Sequence, residues 1–151
     1  MFKHKRTVEH PPIGRLTFVD GSWQTRTPPP PVDCGGLLCF DAGEEGPSQT
    51  QLDAFSALAA RYGELLPAIS ARLFSEYQVA QPGHDLLPVV SATGIAGVTR
   101  LVAVVIHRDC SAVLSYELYF YHHASHALER EEHLLNVVLR GTEVVDVLFE
   151  G

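Results

Sequence analysis

The chain lacks a hydrophobic run long enough to cross a membrane. No stretch approaches the roughly 18 consecutive apolar residues of a transmembrane helix. The basic N-terminus, residues 1–6, leads into a polar segment rather than the apolar core of a secretory signal peptide. Both absences predict a cytoplasmic protein. A hydrophobic share of 46% and a charged share of 19% are typical of a globular protein, and 151 residues suffice for one core.

Cysteine is also scarce. Three cysteines, Cys34, Cys39 and Cys110, are too few for a dense disulfide framework. Cys34 and Cys39 have no second matching pair, so they do not form the pattern of a zinc knuckle. Cys39 lies within an apolar run, where a thiol behaves as a small core side chain. We expect three reduced thiols, as in other cytoplasmic proteins.

Basic residues are few outside the N-terminal region. Residues 1–26 have five basic and two acidic side chains, a net charge of +3, whereas residues 27–151 have six basic and sixteen acidic ones, a net charge of −10. Such an acidic body repels phosphate groups, so the composition argues against nucleic-acid binding. It suits a basic protein partner, and it also suits solubility alone.

The sequence contains none of the common catalytic signatures. Residues 93–97 contain two glycines, but no lysine followed by serine or threonine comes after them, so they form no phosphate-binding loop. No G-x-S-x-G nucleophile elbow is present. His107 and Cys110 lie at a predicted turn without a third group to orient them as base and nucleophile. We predict no catalytic residue and favour a function other than catalysis.

Alternating apolar residues indicate strands at both ends of the chain. Residues 13–25 alternate around the turn signal Asp20-Gly21 and predict a hairpin. Residues 35–40 form a further expected strand, and four alternating runs occupy residues 98–149. Between this hairpin and the strand over residues 35–40, the four prolines of residues 28–31 predict a stiff spacer.

A helical region separates these two groups of strands. Ser48 and Gln51 match the capping box that starts a helix. Apolar residues then recur at helical spacing as far as Tyr77. Because Pro67 interrupts this stripe, we expect two helices, or one sharply kinked helix, from about residue 48 to residue 78.

Strands and helices do not alternate along the chain, so the sequence predicts the α+β class. We expect a single domain over residues 13–151, with a loose N-terminal arm over residues 1–12. Its sheet should be mainly antiparallel, with the helical pair or kinked helix packed on one face.

A segment rich in histidine and glutamate, residues 122–133, lies between two of the C-terminal strands. A helical conformation would place four potential ligands of a divalent metal such as zinc on one face: His122, His126, Glu129 and His133. The alternative function is then a metal-dependent hydrolase that activates a bound water. The spacing matches no metalloprotease signature, and a solvated loop that needs no cofactor explains the segment equally well.

Three short segments have counterparts in a known class of domains: Gly21-Ser22-Trp23, then Pro47-Ser48-Gln49-Thr50-Gln51, and Glu132-His133-Leu134-Leu135 leading to Thr142-Glu143-Val144-Val145. With this order of elements, residues 13–149 resemble small, uncharacterised bacterial α+β domains of the immunity or accessory type found near polymorphic-toxin loci. The resemblance implies a protein without enzymatic activity that functions through an interface.

We therefore predict a protein-interaction module, immunity-like or accessory, that binds a basic protein partner through an acidic face. Aromatic residues often dominate such interfaces, although they more often cover a core or a sheet face. The candidate anchors are Trp23, Tyr119 and Tyr121, and the candidate charges are Glu44, Glu45, Glu131 and Glu132. A structural subunit of a larger assembly and homo-oligomerisation are the remaining alternatives.

Overall fold

A computed structural model describes residues 6–11, 13–32, 36–80, 91–118 and 134–150. These residues form an eight-stranded sheet, a long α-helix and a short 3-10 helix. In chain order the elements are β1 (Thr7–His10), β2 (Gly14–Val19), β3 (Ser22–Thr25), β4 (Leu37–Asp41), α1 (Gln49–Ala80), the 3-10 helix (Ala92–Gly97), β5 (Thr99–Ile106), β6 (Ala112–Leu118), β7 (Leu134–Arg140) and β8 (Glu143–Glu150).

The strands lie in the sheet in the same order as in the sequence, from β1 at one edge to β8 at the other. Neighbouring strands are antiparallel except β4 and β5, which are parallel. Parallel neighbours need a long crossover connection, and α1 lies within that connection. The structure confirms the predicted α+β class with its mainly antiparallel sheet.

The core lies between α1 and one face of the sheet. The helix contacts β5, β7, β8 and the 3-10 helix. Its core-facing residues recur every three or four positions and form one continuous stripe, in which Tyr62 is half-buried and the others are buried: Leu52, Phe55, Leu58, Tyr62, Leu65, Ile69, Leu73 and Tyr77. Tyr62 and Tyr116 hydrogen-bond through their hydroxyls at 2.6 Å and link the helix to β6.

The predicted pair of helices is wrong, because α1 is one continuous helix of 32 residues that contains Pro67. Pro67 is exposed, and the residue four positions earlier is Gly63, which has no neighbouring atom near the place of a side chain. Proline removes one backbone hydrogen bond. The buried stripe continues on both sides of Pro67, and we attribute the continuity of the helix to this packing, which offsets that loss.

The N-terminal arm also differs from expectation, since part of it is a strand. Thr7–His10 form β1, which pairs with β2 in antiparallel register. The alternation covers only these four residues, which is too short to predict a strand. Backbone hydrogen bonds to β2 hold them in the strand conformation. Among the described residues, no helix combines the length and the apolar composition that a membrane span requires.

The start of α1 and the ends of β4 and β5 form a compact group of hydrogen bonds, which we call the β4–α1–β5 junction. The Ser48 hydroxyl accepts from the Gln51 backbone N–H at 3.1 Å, and Gln51 Oε1 accepts from the Ser48 backbone N–H at 3.0 Å. These bonds confirm the predicted capping box. Gln51 is buried, and the two hydrogens of its Nε2 are shared among three backbone carbonyl oxygens, those of Asp41 (2.9 Å), Ile106 (3.3 Å) and His107 (3.2 Å).

Candidate functional site

The last strand, β8, forms an edge of the sheet. It is eight residues long and pairs with β7 on one side. No strand among residues 6–11, 13–32, 36–80, 91–118 and 134–150 pairs with its other side. Val145 is the extra residue of a bulge, because Asp146 pairs with Val138 while Val144 pairs with Leu139. An edge strand of this length is a template for pairing with another chain.

Exposed acidic and apolar side chains alternate along this strand. Five exposed residues define what we call the β8 edge: Glu143, Val145, Asp146, Leu148 and Glu150. Leu148 is 52% exposed and Val145 is 40% exposed, and both are among the large hydrophobic residues that the structure leaves in solvent. Exposed apolar groups rimmed by charges are typical of interaction sites.

The charge of the β7–β8 hairpin is negative. Residues 134–150 contain three carboxylates on β8 and one cation, Arg140, which is the strand partner of Glu143. The hairpin therefore has a net charge of −2. Asp146 Oδ1 accepts a hydrogen bond from the backbone N–H of Val147 at 2.9 Å, which fixes the position of this carboxylate.

Of the aromatic residues predicted to contact a partner, the structure describes Trp23, and it lies in the core. Its exposed fraction is 2%, and its ring centroid lies 5.2 Å from that of Phe18. The indole Nε1 donates to the backbone oxygen of Gly43 at 2.7 Å. In this conformation a partner has no access to the ring. Trp23 instead holds the loop that follows β4.

That loop contains two of the predicted acidic residues, Glu44 and Glu45, and both are exposed. Glu44 Oε2 lies 3.3 Å from Nη1 of Arg6, so an exposed ion pair offsets part of its charge. The loop starts from β4, and β4 and β8 are four strand spacings apart, about 19 Å across the sheet. The acidic loop and the β8 edge are therefore separate features.

The remaining predicted site residues lie outside the described part of the chain. These are the anchors and charges Tyr119, Tyr121, Glu131 and Glu132, and the metal ligands of the alternative function, His122, His126, Glu129 and His133. Across the described residues, no group of three histidine, cysteine, aspartate or glutamate side chains could hold a metal ion. The metal site within residues 122–133 thus stays a prediction.

A cleft of about 460 Å³ lies between α1, the β5–β6 turn and the β7–β8 turn. Its floor is apolar, and its rim contains Arg61, Asp109, Cys110 and Arg140. The Ser111 hydroxyl and backbone N–H donate to Asp109 at 2.6 and 2.9 Å. These hydrogen bonds hold the pKa of Asp109 below its ordinary value, although the carboxylate is exposed.

The cysteines do not form an active site with His107. Cys110 lines the cleft, whereas His107 is not among the lining residues, and its Nδ1 lies 3.8 Å from Asp41 Oδ2. Cys39 and Cys110 are free thiols, and burial raises the pKa of Cys39, which makes it a weaker nucleophile.

Sequence reasoning missed the β8 edge as a site, although one signal was present. Leu148 is apolar at a position where the alternation of β8 calls for a polar residue. The strand also contains three acidic residues and no basic one. What the sequence left undetermined was the strand order, which decides whether β8 lies at an edge or in the middle of the sheet.

Comparison with known proteins adds no relative: the chain matches no family model, no curated protein and no solved structure. The resemblance to immunity-type domains therefore stays a prediction.

Proposed function

We propose that this protein is a protein-interaction module whose β8 edge binds a basic protein partner. The observation that carries the proposal is an eight-residue edge strand with three carboxylates, no cation of its own, and two exposed apolar side chains. Charged groups at an interface steer association and select the partner, while apolar groups supply contact area. The β8 edge offers both.

The acidic body supports the same proposal. Residues 27–151 have a net charge of −10, so the field around the β8 edge attracts a basic protein from a distance. The exposed Glu44 and Glu45 add to that field on another part of the surface. The partner is a protein rather than a nucleic acid, because phosphates are repelled by this charge.

Within this proposal the protein has no enzymatic activity and needs no cofactor. It works in the cytoplasm as an immunity-like or accessory protein. A subunit of a larger assembly would use the same edge for a permanent neighbour.

The test is crosslinking in cells that produce the protein, followed by identification of the captured chains. The decisive variant is Glu143→Gln/Asp146→Asn/Glu150→Gln, which neutralises the β8 edge without changing side-chain size. A matched control, Asp53→Asn/Glu64→Gln/Glu76→Gln, makes the same change of charge on α1. We expect a basic protein captured by the wild type and the control and lost from the β8 variant.

Equal capture by the β8 variant would contradict the proposal, and so would a captured set without basic proteins. Raising the ionic strength of a cell lysate before crosslinking should weaken capture by the wild type, because the screening length falls from about 8 Å at physiological salt to about 3 Å at 1 M. Circular dichroism of both variants checks that the fold is retained.

A further inference from the structure

We infer that the partner binds by strand addition: an extended segment pairs with β8 and continues the sheet as a ninth strand, presenting basic side chains on the face away from α1. The inference deepens the proposed function and rests on it. It names the conformation and the sequence pattern of the segment that binds.

The backbone of β8 is the first reason to infer strand addition. β8 is as long as β5, and β5 has a neighbouring strand on each side. Within the described residues, β8 has a single neighbouring strand, β7. An added strand satisfies backbone groups along a sheet edge, and its main-chain hydrogen bonds contribute affinity that does not depend on side chains.

The side chains of β8 set the pattern that such a segment needs. Asp146, Leu148 and Glu150 pair with Val138, Asn136 and Leu134 of β7, and all point away from α1. Directly opposite residues on a sheet face interact most strongly. A segment placed beside β8 therefore needs a basic residue opposite Asp146, an apolar residue opposite Leu148 and a basic residue opposite Glu150.

The residues between these positions face the side of α1. There, Val147 is buried, while Val144 and Phe149 pack against the core but remain partly exposed. Apolar residues of an added strand would cover them further. The complete pattern is basic, apolar, apolar, apolar, basic, with the two charges four residues and about 14 Å apart.

A second copy of the chain meets like charges at this edge when the two β8 strands pair about Leu148. In an antiparallel pair of β8 strands centred on Leu148, Asp146 of each copy would lie directly opposite Glu150 of the other. Like charges in that position destabilise the pairing, and β8 contains no cation to offset them. The charge pattern thus selects a basic segment from a different protein.

The experiment measures peptide binding by fluorescence anisotropy at low ionic strength. The probe contains Lys-Val-Val-Val-Lys between serine and glycine residues that keep it soluble. Its isomer, Lys-Val-Val-Lys-Val, has the same charge and composition but directs the second lysine toward α1. A third peptide keeps the first sequence and has N-methylated valines, which cannot donate backbone hydrogen bonds.

We expect the first peptide to bind the wild type about tenfold more tightly than its isomer, and the N-methylated peptide to lose binding. The variant Asp146→Lys/Glu150→Lys should reverse the preference and bind Glu-Val-Val-Val-Glu instead. The control Asp53→Lys/Glu64→Lys, on α1, should retain the wild-type preference.

Equal binding of all three basic peptides, lost in the β8 variant, would overturn strand addition while leaving an acidic binding edge intact. Binding of none of them would also overturn strand addition, and the crosslinking experiment would then decide the proposed function by itself. Sedimentation provides a further check, because a wild-type dimer that the Lys-Val-Val-Val-Lys peptide dissociates would show that the edge pairs with a second copy.

Discussion

The β4–α1–β5 junction and the β8 edge differ in their polar side chains, which are buried and hydrogen-bonded at the junction and exposed at the edge. At the junction, the single side chain of Gln51 hydrogen-bonds four backbone groups and is buried. At the β8 edge, three carboxylates and two large apolar side chains face solvent along a strand with one described neighbour. Satisfied, buried polar groups specify a fold, whereas exposed ones remain available to a partner.

The comparison separates residues that keep the fold from residues that serve function. Substitutions around the junction should lower the free energy of unfolding, and substitutions at the β8 edge should leave it nearly unchanged. Three single substitutions and one triple variant test this division, beginning with the largest expected loss of stability.

Trp23→Ala should lower the free energy of unfolding by about 3–5 kcal/mol, as usual for a large aromatic side chain removed from a core. The change removes a side chain that is 2% exposed, and with it the indole N–H that donates a hydrogen bond to the Gly43 backbone oxygen. Urea denaturation measures the loss. Trp23→Phe, which keeps a ring but no donor, should cost much less. A loss below about 1 kcal/mol for the alanine variant would mean that the ring is not part of the core.

Gln51→Leu should lower the free energy of unfolding by about 2–3 kcal/mol, because polar groups at the junction lose their partner. Leucine nearly matches the volume of glutamine, so the cost reflects hydrogen bonds rather than a cavity. The control is Gln49→Leu, in which an exposed side chain loses one contact to Asp53. If both variants unfold at the same urea concentration, Gln51 does not hold the strand ends.

Ser48→Ala removes the N-cap of α1 and should cost about 1 kcal/mol. Ser56, exposed in the middle of the same helix, provides the control. Ser56→Ala should be neutral or slightly stabilising, because alanine is the better helix former. Thermal unfolding followed by circular dichroism at 222 nm compares the two variants. Equal melting temperatures would contradict the role of Ser48 as a cap.

Local signals predicted the junction well. The capping box, a pattern of four residues, predicts the start of α1 at Ser48 and the role of Gln51. Alternation predicts the bounds of β2, β3 and the C-terminal strands to within a few residues. These features depend on hydrogen bonds and periodicities that span one turn or one strand. The donation of Gln51 to Ile106 and His107 joins residues more than fifty positions apart, so no local pattern contains it.

Pro67 and Leu148 show what local signals miss. The proline rule predicts a break, yet the buried stripe on both sides of Pro67 keeps α1 in one piece. The position of Leu148 on the outermost of the eight described strands follows from the order of those strands, which is a property of the whole sheet. Both the continuity of α1 and the edge position of Leu148 depend on tertiary packing, which the sequence pattern of a single segment does not contain.

The smallest effect on stability is expected at the β8 edge. Neutralising Glu143, Asp146 and Glu150 removes mutual repulsion and no buried contact, so the free energy of unfolding should change by no more than about 0.5 kcal/mol. Asparagine at position 146 can still accept from the Val147 N–H, which protects the local backbone. Urea denaturation of the purified variant measures stability, and crosslinking in cells that produce the same variant measures capture. If the β8 edge binds a partner, the variant should lose capture while its free energy of unfolding stays the same. A decrease in the free energy of unfolding of more than about 1 kcal/mol would instead show that these carboxylates maintain the fold.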